Sequence, residues 1–171
     1  MRIHLAKAAV AAACLVLAAC STKKLEQCPA ASALVDTATD PVWQGNPASY
    51  LYFVQIVNTK RDCDIEKYSK NVTSSLDISF RAWRRPGPAA TYTVPIYVAI
   101  TTEGRVLNKR TYSVQFSFTP NQTLTEFSQS IDSIPLTVEQ DKRAADYGIL
   151  VGFQLTRAQL DYNRRAGRYA K

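Results

Sequence analysis

Histidine and methionine are almost missing from this chain of 171 residues. The single histidine is His4 and the single methionine is Met1, so both lie at the extreme N-terminus. If that terminus is removed, the remaining chain has no imidazole to act as the general base of a Ser-His-Asp or Cys-His mechanism. A zinc site with histidine ligands is excluded for the same reason. We therefore expect no catalytic residues, no bound metal and no cofactor.

Long apolar runs are also scarce. Residues 8–17 form an apolar run of ten, preceded by a start that carries Arg2 and Lys7 and no acid. A membrane-spanning helix needs about 20 such residues, so this run is too short to be a permanent anchor. A basic start, a short apolar stretch and small residues after it are typical of a secretory signal peptide. Because no other stretch approaches transmembrane length, we expect the rest of the chain to be exported.

The four residues Leu17-Ala18-Ala19-Cys20 resemble the bacterial lipobox. The resemblance implies cleavage before Cys20, a diacylglycerol thioether on its sulfur and an acylated new N-terminus, which together anchor a protein stably. It also implies the periplasmic face of the outer membrane, because Ser21 stands where inner-membrane retention shows aspartate. The alternative is an ordinary signal peptide in which Cys20 is incidental. Removing residues 1–19 lowers the net charge from +7 to +5.

Cysteine is used sparingly, with four residues in the chain. Cys14 leaves with the signal peptide and Cys20 is assigned to lipid, so Cys28 and Cys63 remain. In an oxidising compartment this pair predicts a disulfide. The alternative is a reactive thiol or a metal-binding pair. The mature chain has neither a C-x-x-C motif nor a histidine that would support it.

The content of 46% hydrophobic and 10% aromatic residues is enough for one compact core and argues against disorder. Residues 50–58 are rich in aromatic and β-branched residues and are apolar on both faces, which predicts a central strand. Alternating apolar and polar residues predict further strands over residues 72–82, 92–100, 112–118 and 147–155. The capping-box pattern Thr156-x-x-Gln159 predicts a short helix over residues 157–165. Residues 124–134 have helical spacing but contain poor helix formers, so we expect a loop there, followed by a short strand over 134–138.

Many strands and one short helix predict an all-β protein, an antiparallel β-sandwich. An immunoglobulin-like Greek key is preferred, with a small closed barrel as the second choice. The expected organisation is a signal peptide, a lipidated N-terminus with a tether, a sandwich domain, and a helix with a basic tail, covering residues 1–19, 20–48, 49–156 and 157–171.

Three local features refine this sandwich. Pro95 inside a strand argues for an edge position or a bulge. Glu103-Gly104 is typical of a tight hairpin turn. Gly148 and Gly152 share one face of their strand, where we expect another group to approach closely.

Two basic regions are candidate binding surfaces. Arg81, Trp83 and Arg85 share one face at the end of a strand, and arginine with tryptophan is common at protein interfaces. The alternative is a solvated edge on which arginine stacks on tryptophan. The last ten residues contain four positive side chains and no acid, and the arginines among them are Arg164, Arg165 and Arg168. Anionic lipid headgroups, lipopolysaccharide phosphates or acidic glycan suit such a tail, unless it is simply solvated.

Three weaker motifs receive plainer interpretations. Asp62, Asp64 and Glu66 alternate as calcium ligands can, but they lack the glycine and final glutamate of a calcium loop, which favours a solvated turn. Ser21-x-x-Lys24 matches the Ser-x-x-Lys pattern of penicillin-recognising enzymes, yet it lies in the tether. The terminal Lys171 resembles the end of Braun-type lipoproteins, whose C-terminal lysine is joined to peptidoglycan, although those proteins are helical.

The mature chain as a whole, especially residues 147–164, resembles small β-rich lipoproteins of alphaproteobacteria with no characterised activity. The resemblance carries over no catalytic residue. We therefore expect a non-enzymatic binding or envelope-assembly module with an envelope protein as partner and no nucleic acid. A cell-wall tether through the basic tail or Lys171 is the first alternative, and a carboxylate-dependent hydrolase is the second.

Overall fold

The computed structural model describes residues 27–66 and 70–169, and most of them lie in strands. The strands are β1 (Ala30–Ala33), β2 (Thr39–Trp43), β3 (Tyr50–Ile65), β4 (Asn71–Arg84), β5 (Ala90–Thr102), β6 (Arg105–Phe118), β7 (Leu124–Thr137) and β8 (Tyr147–Phe153). Helix α1 spans Arg157–Tyr169, and short 3-10 turns lie at Val35–Thr37 and Ala144–Asp146. Within these ranges, no helix is long and apolar enough to cross a bilayer. The expected signal peptide and Cys20 lie outside the described residues.

The strands form two sheets of four, in the orders β1-β8-β5-β6 and β2-β3-β4-β7. Every pair is antiparallel except β1 with β8, which is parallel. The chain passes from one sheet to the other after β1, β4, β6 and β7. This architecture confirms the predicted all-β sandwich with a C-terminal helix. The second choice, a small closed barrel, is wrong, because each sheet keeps two edge strands.

The core lies between the two sheets and is filled by alternate residues of their strands. On β4 the alternation is complete, since Val72, Leu76, Ile78, Phe80 and Ala82 are buried while their neighbours face outward. Burying each large apolar side chain stabilises the fold by roughly 1.5–3 kcal/mol. Phe127 of β7 stacks between Phe80 and Phe116, with ring centroids 4.9 and 4.7 Å away. The stack joins the two sheets.

The sheets begin before residue 49, where we expected the sandwich to start. Strand β1 pairs with β8 and strand β2 pairs with β3. The sequence hides both strands because β1 has only four small residues and β2 carries Pro41 at its centre. Cys28 and Cys63 form the predicted disulfide, with Cα atoms 5.8 Å apart. The disulfide ties the chain just before β1 to the far end of β3.

Strand β7 corrects the prediction of a loop over residues 124–134. Its register with β4 shifts where Ser74 faces Ile134 and Leu76 faces Ile131, so β7 carries one extra residue there. This bulge turns Ile131 and Ile134 to the same buried face although they are three residues apart. The spacing of three between Ile131 and Ile134, which looks helical in the sequence, therefore results from a β-bulge.

Two of the predicted local features are confirmed, and a third is not. Glu103 and Gly104 have φ angles of 50° and 77°, the left-handed values that a two-residue hairpin turn needs. Gly152 is approached closely by the side chains of Thr37 and Tyr97. Pro95, however, lies on β5, which is a central strand between β8 and β6, and its pairing with Ser113 of β6 is in regular register, so it is neither on an edge strand nor at a bulge.

Candidate functional site: an aromatic groove

A row of apolar side chains crosses the outer face of the sheet β2-β3-β4-β7. Phe53 of β3 lies opposite Pro41 of β2 on one side and opposite Trp83 of β4 on the other. Trp83 in turn lies opposite Leu124 of β7, which is exposed. Since side chains alternate along a strand, residues next in sequence, such as Val54 and Ala82, face the core. The row is therefore the solvent side of a well-packed sheet.

Two further segments border this row and make it a groove. One is the loop that connects β2 to β3, and the other is helix α1. The rings of Trp43 and Tyr162 lie 5.5 Å apart, and those of Phe53 and Trp83 lie 5.8 Å apart, all tilted rather than stacked. The space between them has a volume of about 290 Å³ and opens to solvent. We call it the aromatic groove, and its lining residues are Pro41, Trp43, Pro47, Tyr50, Phe53, Trp83 and Tyr162.

Helix α1 is fixed against β2, which holds Tyr162 in the groove wall. Its first turn is closed by the predicted capping box, in which the Thr156 amide donates to Gln159 Oε1 at 2.9 Å and the Gln159 amide donates to Thr156 Oγ1 at 3.3 Å. The Gln159 amide nitrogen Nε2 then donates to Asp40 Oδ1 at 2.7 Å and to the Pro41 carbonyl at 3.0 Å. One glutamine therefore caps the helix and docks it.

The next turn of α1 adds three more hydrogen bonds, to Asp36 and Thr39. Asn163 is buried, and its Nδ2 donates to the Thr39 carbonyl at 2.7 Å and to the Asp36 carbonyl at 3.1 Å. Arg164 Nε donates to Asp36 Oδ2 at 3.0 Å. Tyr162 precedes both anchors, so its ring position follows from theirs.

Beneath the docked helix, Asp40 is a buried carboxyl group that is 5% exposed. Burial raises the pKa of Asp40 to about 6. Burial, and then the charges of Asp40 and Tyr92, raise the pKa of Tyr52 to about 12. Asp40 faces inward while its neighbour Pro41 lines the groove, so the floor of the groove rests on a group that titrates in mildly acidic solution.

Two arginines lie at the rim of the groove, and they differ in how they are engaged. Arg81 lies 6.0 Å from the Trp83 ring and forms a salt bridge with Glu126, with Nη2 and Oε1 2.6 Å apart. Arg85 lies 5.0 Å over the Tyr50 ring, and no carboxylate in the described part of the chain pairs with it. At the rim, therefore, Arg81 is paired with a carboxylate and Arg85 has no carboxylate partner among the described residues.

Arg84, between them, is structural. It is 7% exposed and lies 4.7 Å over the Phe118 ring. Its guanidinium donates to the carbonyls of Thr119 and Gln122 at 3.0 and 3.1 Å. These bonds satisfy the buried cation and close the end of the sandwich.

Every hydrogen-bonding side chain that lines the groove can donate, and the phenols of Tyr50 and Tyr162 can also accept. Within residues 27–66 and 70–169, no partner takes the indole N–H of Trp43 or Trp83, or the phenol O–H of Tyr50 or Tyr162. An indole N–H donates only. The lining residues include no carboxylate and no carboxamide. The groove therefore suits a ligand with apolar surface and hydrogen-bond acceptors.

The structure brings part of the predicted binding residues together. Arg81, Trp83 and Arg85 do share one face, and that face is the groove and its rim. Arg164 is held by Asp36, whereas Arg165 is exposed on α1. The side chain of Arg168 lies outside the described residues, as does all of Lys171.

The sequence reasoning missed most of the groove. Trp43, Tyr50, Phe53 and Tyr162 are far apart in the chain and meet only through sheet register and helix docking. The one local signal was Trp43 between Pro41 and Pro47, since a large aromatic side chain is commonly packed against other groups or placed at an interface.

The structure does not arrange the other candidate motifs into a site within the described residues. No group of three or more His, Cys, Asp or Glu side chains within the described ranges is arranged to hold a metal ion, and this includes Asp62, Asp64 and Glu66. Comparison of the chain with protein-family models, curated proteins and solved structures finds no match.

Proposed function

We propose that this protein is a lipid-anchored periplasmic binding module, held at the outer membrane through Cys20, which engages an envelope component with its aromatic groove. The observation that carries the binding role is the groove itself. It gathers five aromatic rings, including both tryptophans of the chain, on the solvent side of a rigid sheet. Tryptophan, tyrosine and arginine side chains are enriched among the residues that contribute most to binding at protein interfaces.

The surrounding structure supports a binding role rather than a packing role for these rings. Phe53 and Trp83 lie on the outer face, so the core is complete without them. Tyr162 is brought to the groove by a dedicated helix whose docking uses four side-chain hydrogen bonds from Gln159 and Asn163. We infer that the helix serves to build the groove wall.

Site-specific photocrosslinking in intact cells tests the binding role. A photoreactive residue at Leu124, which borders the groove without lining it, should give a discrete adduct with an envelope component. The same residue at Val106, which is 61% exposed on the other sheet, is the control and should give none. Equal adducts at both positions, or none at either, would contradict the proposal.

Fractionation tests the anchor separately. The wild-type chain should sediment with outer membranes and incorporate labelled fatty acid, and Cys20→Ser should abolish both. A Cys20→Ser protein that keeps its label would assign the lipid elsewhere.

A further inference from the structure

We propose that the occupant of the aromatic groove is an extended, proline-rich peptide segment that carries a carboxylate beside its prolines. This rests on the proposed function, because it names the ligand class of the same groove. Proline-rich segments adopt the polyproline II helix before binding, and they dock into grooves lined by aromatic side chains.

The spacing of the groove floor suits such a helix. Pro41, Phe53 and Trp83 lie on three neighbouring strands, so the row spans two strand separations, about 9.6 Å. One turn of polyproline II, three residues at about 3.1 Å each, covers almost the same length. The groove volume of about 290 Å³ is at the small end for ligand sites and suits part of an extended chain.

The hydrogen-bonding groups of the groove select for the same class. Proline offers a carbonyl acceptor and no N–H donor. The indole N–H groups of Trp43 and Trp83, which have no acceptor among the described residues, can donate to such carbonyls without leaving a ligand donor unsatisfied. A glycan would bring hydroxyl groups that also donate, and among the lining side chains only the phenol oxygens of Tyr50 and Tyr162 can accept from them.

The rim charge adds the acidic requirement. Arg81 is already bonded to Glu126, while Arg85 stacks on Tyr50 without an ion-pair partner in the described ranges. A ligand carboxylate beside the Tyr50 end of the groove would pair with Arg85. A proline-rich segment with lysine at that place would meet repulsion instead.

Tryptophan fluorescence offers a groove-specific measurement, because Trp43 and Trp83 are the only tryptophans in the chain. The full chain in detergent is titrated with a synthetic decapeptide of prolines containing one glutamate. Two comparison peptides replace the prolines by alanine or the glutamate by lysine. We expect a saturable fluorescence change with the first peptide and at least tenfold weaker binding of the other two.

Variants at the rim separate the charge from the fold. Arg85→Gln should weaken the glutamate peptide about tenfold and remove its preference over the lysine peptide. Arg81→Gln is the matched control and should change affinity less than threefold, because Arg81 is engaged by Glu126. Trp83→Leu should abolish the response to every peptide, with circular dichroism and the Tm used to verify that the variant folds.

Four outcomes would overturn the proposal. Absence of saturable binding by the proline peptides rejects the ligand class, and if the Leu124 crosslink persists the binding role survives without it. Tighter binding of soluble N-acetylglucosamine oligomers points to a glycan, and a response to anionic phospholipid vesicles alone points to a lipid surface. A fluorescence change that follows protein concentration without ligand points to a second copy of this chain.

Discussion

Asp40 is a buried carboxyl group whose ionisation is coupled to folding. Burial raises its pKa from 3.8 to about 6, so the folded chain holds the proton more tightly than the unfolded chain. The stabilisation from this group is therefore complete below about pH 4 and is lost as the pH rises to about 6. Above that pH the folded state carries a buried carboxylate.

Asp40→Asn should consequently stabilise the protein at pH 7, by as much as about 3 kcal/mol. Its side-chain oxygen can still accept the bond from Gln159 Nε2. Urea denaturation between pH 4 and 7 should show a smaller decline in the free energy of unfolding for the variant than for the wild type. Asp132→Asn, at an exposed position of β7, is the control and should follow the wild type. Parallel pH curves for Asp40→Asn and wild type would contradict the assignment.

Ser74 gives a second prediction at this scale. Its hydroxyl oxygen is buried, with 2% of the residue exposed and no hydrogen-bond partner in the part of the chain described. Because an unsatisfied buried hydroxyl is costly, Ser74→Ala should raise the free energy of unfolding by about 1 kcal/mol. Ser130→Ala, which removes a 2.6 Å bond to Asp77, is the matched control and should not stabilise. A destabilised Ser74→Ala protein would show that the hydroxyl is bonded.

Among the elements, β8 is packed closely against its neighbours at Gly152. A methyl group on Gly152 would collide with Thr37 and with the Tyr97 hydroxyl, which are hydrogen-bonded to each other at 2.8 Å. Gly152→Ala should therefore lower the free energy of unfolding by about 2 kcal/mol. A methyl group on Gly87 would meet no atom of the described residues closer than the Arg85 carbonyl oxygen at 4.0 Å, so Gly87→Ala should have little effect. Equal midpoints of thermal unfolding for the two variants would contradict the close approach.

Strand β5 shows why element type was easier to predict than element position. Its alternation identified a strand, and Pro95 suggested an edge because proline cannot donate to a neighbouring strand. In the structure the pairing with β8 begins at Ile96, so Pro95 lies just beyond the end of that neighbour. The residue is at a local end of the ladder, although its strand is central. The length of the neighbouring strand β8 decides whether Pro95 has a partner on that side, and the sequence around Pro95 carries no information about that length.

The aromatic groove illustrates the same limit for function. Arg81, Trp83 and Arg85 were recognisable because they alternate along one strand, where face and spacing follow from the period of two. Trp43, Phe53 and Tyr162 reach them through strand register and through the hydrogen bonds of Gln159. Those contacts depend on the folded arrangement of three separate elements.

For the whole molecule, the Cys28–Cys63 disulfide closes a loop with a sequence separation of 35. Removing it should lower the free energy of unfolding by about 4 kcal/mol in the chain-entropy model. Cys28→Ser/Cys63→Ser should unfold at lower urea concentration than the oxidised wild type and should be insensitive to reductant. A wild-type midpoint that does not move on reduction would contradict a stabilising role.

The length of β3 separates the disulfide from the aromatic groove. This strand has 16 residues, roughly 50 Å at about 3.3 Å each, with Cys63 near its last residue and Tyr50 as its first. If Cys20 is in the membrane, the disulfide lies on the membrane-proximal side, because Cys28 follows Cys20 by eight residues. The groove is built around the opposite end of β3, at Tyr50 and Phe53, so under the proposed anchoring its partner would meet the protein at the end of the sandwich farther from the disulfide.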